Sequence, residues 1–136
     1  MNKSSTDNYM LLFRSTDWYA GLSPEEVEKI VTKWGAWYQR LTDEGIVDHG
    51  RPLGPEVKIV GKDGLVSDGP FAESKESVGG YFMVRAGSFD EAVAIAKGCP
   101  GLPYGVRVEV RPVVLMCPCA EQAGVEGQSA ATAFVS

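Results

Sequence analysis

The chain has 136 residues, the length of one domain. Its 44% hydrophobic, 10% aromatic and 23% charged residues match an average globular composition and exclude disorder, a collagen-like helix and a membrane span. Thirteen Lys and Arg against 18 Asp and Glu leave a net charge of −5, the wrong sign for gripping phosphate backbones, so direct nucleic-acid binding is not expected.

Residues 1–7 are polar, and the first apolar stretch, 9–13, falls short of the 7 to 15 or so residues of a signal-peptide core; a cytoplasmic location is the expectation. Residues 9–14 read as a first strand. Tyr9, Leu11 and Phe13 point one way and Met10 and Leu12 the other, so both faces are apolar and the strand belongs in the middle of its sheet. Ser23-Pro24-Glu25-Glu26 then sets an N-cap, a proline at N1 and a glutamate at N3, which is a capping box. The helix it opens carries Val27, Ile30, Val31, Trp34, Trp37, Tyr38 and Leu41 at spacings of three and four. It ends near Glu44-Gly45, with the glycine at C′. Residues 46–53 and 57–60 read as extended, and Gly61-Lys62-Asp63-Gly64 supplies turn chemistry for a hairpin into 65–67. A second two-faced apolar strand follows at 80–85, with Gly79-Gly80 allowing a bulge or a close backbone approach where it begins. Ser88 caps a second helix, with Glu91 at N3. Its buried stripe is Phe89, Ala92, Val93, Ile95 and Ala96, and Gly98 stops it. The last strand, 106–111, alternates, placing Arg107, Glu109 and Arg111 opposite Val106, Val108 and Val110.

Strand, helix, strands, strand, helix, strand is the order of a ferredoxin-like α+β sandwich, an antiparallel sheet with two helices on one face. The helices are expected to cross back between parallel neighbours. The two-faced strands belong at the centre and the last strand at an edge. Two helices cover only one side of such a sheet, so its other apolar side predicts a homodimer formed sheet against sheet.

Three cysteines, Cys99, Cys117 and Cys119, cannot all pair, and reduced thiols are expected. Cys117-Pro118-Cys119 lacks the further ligands of a zinc site, the only histidine, His49, being remote in sequence, so no metal is expected. Beyond it, Ala, Gly, Gln, Ser and Thr predominate. The division is therefore a folded domain over 8–116 and a flexible tail over 117–136.

The densest cluster of unusual residues is Asp68-Gly-Pro-Phe71, followed by Glu73, Lys75 and Gly79-Gly80-Tyr81-Phe82. With Tyr9-Met-Leu-Leu, Pro52-Leu-Gly-Pro55, the Asp90-Glu91-Ala92 helix, Lys97-Gly98-Cys99-Pro100 and the closing Val108-Glu-Val-Arg-Pro112, it resembles the DGPF-type branch of the YCII-related family over nearly the whole chain. The resemblance implies the dimeric α+β barrel and an association with transcription, since DGPF-type proteins often neighbour or are fused to extracytoplasmic-function sigma factors. Some relatives act on small ring compounds. The YCII branch proper pairs a histidine in the first helix with an aspartate before a proline after the second. Here residues 24–44 hold no histidine and Cys99 precedes Pro100, so that pair is not carried over.

Two functional readings remain open. The first is a dimeric ligand-binding or accessory protein, with Phe71, Glu73, Lys75, Tyr81 and Arg107 as candidate ligand contacts. The second is a small-molecule lyase or isomerase without metal or organic cofactor, in which Asp68 and His49 serve as acid and base in a cleft between subunits. The same residues have plainer roles available. Asp68 caps a Gly-Pro turn, His49 sits in an exposed loop, Phe71 and Tyr81 pack, and Glu73 and Lys75 face solvent. Arg107 either clamps an anionic ligand or joins cross-strand ion pairs. Trp34 and Trp37 fit the core stripe of the first helix, while Trp18, in the loop before it, is free to border a pocket.

Overall fold

The computed structural model of the protein describes residues 7–14, 17–68 and 78–124. Strand β1 (Asp7–Arg14) buries Tyr9, Leu11 and Phe13 on one face and leaves Met10, Leu12 and Arg14 half-buried on the other. It lies between β5 (Val78–Ala86) and β6 (Arg107–Pro112), with β2 (Val47–Pro52) beyond β5, so the order is β2-β5-β1-β6. This is the ferredoxin-like arrangement, with the two-faced strands central. A separate two-stranded ribbon pairs β3 (Ile59–Val60) with β4 (Val66–Ser67). Asp63 and Gly64 between them take positive φ values of 62° and 76°, the left-handed turn that Asp-Gly provides.

Every pairing in the large sheet is antiparallel. This corrects the expectation of parallel neighbours. Each helix joins two strands that run the same way but have a third strand inserted between them, β5 between β1 and β2, and β1 between β5 and β6. The register of β1 on β5 shifts after Phe13, where Phe13 meets Gly80 and Arg14 meets Val78, so Gly79 is the extra residue of a bulge. A Cβ on Gly80 would stand 3.1 Å from the Arg51 carbonyl, which is why glycine occupies this crossing.

Helix α1 (Pro24–Asp43) begins at the foreseen capping box. Glu26 N–H donates to Ser23 Oγ at 3.2 Å, and Ser23 N–H donates to the Glu26 carboxylate at 2.9 Å. That second bond, reinforced by the Ser23 hydroxyl, holds the Glu26 carboxyl below its ordinary value. Gly45 follows the helix at φ +77°. Helix α2 (Phe89–Ala96) is capped by Ser88 and buries Ala92 and Ala96. Phe89, expected in its buried stripe, is 47% exposed because it stands at the first turn, covering only the edge of Tyr9.

Both helices contribute to one core with the Tyr9, Leu11 and Phe13 face of β1 and the Phe82, Val84 and Ala86 face of β5. Leu11 and Val84 are fully buried at its centre. Phe13 meets Trp34, Trp37 and Phe82 edge-on at 5.2, 6.1 and 4.8 Å between ring centres, the geometry that ring quadrupoles favour.

Past β6, Cys117 and Cys119 are joined by a disulfide, and Pro118–Gln122 forms a one-turn helix, α3. This corrects the expectation of reduced thiols at that pair. The Cα atoms of Cys117 and Cys119 lie 5.3 Å apart, within the span of bridged cysteines, because the chain turns at Pro118. Cys99 is the free thiol and is buried. Among the described residues, no helix is long and apolar enough to cross a membrane.

Candidate functional site

Where β1 and β2 end and β5 begins, the sheet and α1 diverge around a cleft of about 1140 Å³. Pockets that hold drug-sized ligands span roughly 300 to 1,000 Å³, so this cleft is large enough for one small ligand. Its inner wall is the core side of the sheet, Phe13, Gly50, Gly80 and Phe82. A second wall is α1, through Val31, Trp34, Gly35 and Tyr38, and a third is the 52–58 segment; Trp18 and Tyr19 close one side. Trp18 lies 6.2 Å from Trp34 in a tilted pair and 5.6 Å from Tyr19 edge-on, so this side of the cleft joins α1 through ring contacts.

The helix explains this wall. Ile30, Trp37 and Leu41 are buried, Trp37 and Leu41 in the core shared with the sheet, whereas Val31, Trp34, Gly35 and Tyr38 follow a second stripe with the same spacing, turned around the helix. Val31 is 53% exposed because it faces the cleft and not the core. The sequence reading assigned the whole apolar face to the core and so missed Val31, Gly35 and Tyr38 as site residues. The available signal was the width of that face: two adjacent stripes with three aromatic residues exceed what one sheet covers.

Polar groups gather at the mouth. Lys58 Nζ donates to Asp68 Oδ1 at 2.6 Å, both side chains being largely exposed, so the pair contributes under about 1 kcal/mol and remains open to exchange with a ligand. Glu56 and Arg51 border the same opening.

The sequence-derived candidates do not all border the cleft. Asp68 lines the cleft; Tyr81 borders it only along β5, its ring standing on the other sheet face. His49 is not among its lining residues: in β2 it pairs in register with Met83, on the sheet face turned away from the helices. There it sits 3.4 Å from Asp48 and edge-on to Tyr81 at 5.7 Å. Arg107 is exposed on edge strand β6, in register with Arg14 and outside the cleft lining. On the same face Arg14 of β1 reaches Glu109 across the strands at 3.0 Å, a cross-strand ion pair of the kind foreseen for this strand, and Arg111, two residues along β6 itself, reaches the other oxygen at 3.1 Å. Phe71, Glu73 and Lys75 lie outside the described residues. Among the described residues, no group of three or more His, Cys, Asp or Glu side chains gathers as a metal cluster would.

The βαββαβ order, the bulge at Gly79 and the cleft under α1 stand on one side; on the other, the YCII-related domain matches residues 8–117. The chain belongs to the YCII-related family. It is also 30% identical over 108 residues to an uncharacterised protein of Rhizobium meliloti (strain 1021), covering 71% of this chain and 82% of that one. For a YCII-related protein, this chain has a cleft walled mainly by rings and by glycine backbone, with its charges confined to the mouth.

Proposed function

We propose that this YCII-related protein is a dimeric ligand-binding protein that takes a small, largely apolar ring compound into the α1 cleft, acting as an accessory protein in association with transcription. The observation that carries the ligand-binding part is the aromatic wall. Phe13, Trp18, Tyr19, Trp34 and Tyr38 border one cavity, and rings stack on rings at low entropic cost because each has only two side-chain torsions to fix. The net charge of −5 favours contact with the transcription apparatus through protein and not through DNA. Acid–base turnover by Asp68 and His49 lacks comparable support, since two such groups must reach one substrate and only Asp68 borders the cleft.

The probe 8-anilinonaphthalene-1-sulfonate tests the reading. It is expected to bind saturably at one site per chain with enhanced, blue-shifted emission, and Trp34→Ala weakens it by at least about tenfold, the loss of a buried ring contact. Tyr104→Ala, exposed and outside the cleft, leaves it unchanged. Non-saturable binding, or equal binding by both variants, refutes the assignment.

A further inference from the structure

The Cys117–Cys119 disulfide has no part in the cleft. It is also poorly placed to hold the fold. A bridge between residues two apart encloses only three residues, and in the chain-entropy account the stabilisation grows with the loop that is closed. Neither cysteine is buried: Cys119 is exposed and Cys117 half-exposed, and Leu115 just before them is 73% exposed. The bridge is therefore open to small molecules. Pro118 between them has a fixed φ and no backbone N–H, which narrows the conformations of the reduced segment and keeps the two sulfurs within reach of each other. The third cysteine does not compete. Cys99 is 3% exposed, and burial pushes its thiol up to about 11, so it stays protonated and inaccessible at neutral pH.

We propose that Cys117 and Cys119 are a reversible dithiol–disulfide couple that exchanges with small thiols and disulfides. In the reducing direction the thiolate of an external thiol attacks Sγ of Cys119, the more exposed partner. The protein S–S bond breaks, its electron pair leaves on Sγ of Cys117, and that thiolate takes up a proton from water. A second external thiolate then attacks the external sulfur of the mixed disulfide, releasing Cys119 as a thiolate and a small-molecule disulfide. Two thiols are oxidised as one protein disulfide is reduced, a two-electron exchange, and the reverse uses the small disulfide as oxidant.

Glutathione serves as the probe. The full chain is equilibrated across ratios of reduced to oxidised glutathione, quenched with acid, and labelled under denaturing conditions with a mass-tagged maleimide. The expected result is that two thiols per chain appear together in a single two-electron step while Cys99 labels at every ratio. The thermal midpoint is expected to differ by less than about 2 °C between the oxidised and reduced forms. Cys117→Ser is expected to trap glutathione on Cys119 about fivefold more than Cys119→Ser traps it on Cys117, reporting the more accessible sulfur. A bridge that opens only after unfolding, two thiols that titrate independently, or a midpoint that falls by more than about 5 °C on reduction overturns the couple; equal trapping overturns the assignment of Cys119.

Discussion

At the scale of single residues, burial is the largest influence on Cys99. Desolvation raises its thiol from the ordinary 9.0 to about 11, partly offset by the backbone N–H groups of Gly101 and Leu102. Between those values the unfolded chain has lost the thiol proton and the folded chain still holds it, so folding stability is full below about pH 9 and falls as pH rises. The slope reaches at most about 1.4 kcal/mol per pH unit. Urea unfolding from pH 8 to 10.5 is expected to show this extra slope in the wild type and not in Cys99→Ala; equal slopes refute it. Gly101 nearby links packing to the site. A Cβ there would stand 2.6 Å from Trp34 Cζ3 and 2.7 Å from Val106 Cγ2. Gly101→Ala therefore displaces a cleft wall, at a cost of about 1 to 3 kcal/mol by denaturant unfolding, together with weaker probe binding.

Among the elements, α1 does two jobs that different residues separate. Its start is a stability feature. Ser23→Ala removes the cap and lowers stability by about 1 kcal/mol, read as a fall of several degrees in Tm, with the probe affinity unchanged. The partner carboxyl of Glu26 has its pKa lowered by the same cap, so its contribution is present at neutral pH and lost on acidification, and Glu26→Gln reduces that acid sensitivity. The middle of the helix carries the opposite bias. Gly35 sits in the helix interior, where glycine is disfavoured, and a Cβ there would meet nothing within 4 Å. Packing gives no reason for the missing side chain, but the cleft does, because a ligand can lie directly on the helix backbone. Gly35→Ala is expected to stabilise the protein by about 0.5 to 1 kcal/mol while weakening probe binding about tenfold. Unchanged binding refutes that role. The hairpin that follows was read from its Asp-Gly turn, and its left-handed residues are where glycine and aspartate belong.

For the whole molecule, the sheet face away from the helices is the surface on which the proposed dimer rests. Met10, Leu12, Tyr81 and Met83 form its half-buried centre, edged by the Arg14–Glu109–Arg111 ion pairs and by Arg85, which bonds Asp48 at 2.8 Å. An apolar centre with a charged rim is the anatomy of an interface between copies. The wild type is expected to sediment as a dimer at micromolar concentration and Leu12→Glu as a monomer, because an unpaired carboxylate in the centre costs several kcal/mol. A monomeric wild type sinks the idea. Much of this architecture was legible beforehand: two-faced apolar strands implied central positions, and alternation in the last strand implied an edge. The site was less so. Asp68 and His49 stand out by chemical type, yet chemical type does not report which sheet face a residue takes. That depends on the β2 register, shifted between Val47 and His49, which no local pattern announces.

The sequence by itself determined the element order, the caps of both long helices, the central and edge strands and the family, because each follows from contacts within a few residues or from side-chain periodicity. Only the tertiary structure decided that the apolar face of α1 divides into a core stripe and a cleft stripe, that Asp68 borders the cleft while His49 does not, and that Cys117 and Cys119 are bridged. These depend on where the sheet ends relative to the helix and on how a chain turns at one proline. Such distances are set by packing across the whole domain and have no counterpart in sequence spacing.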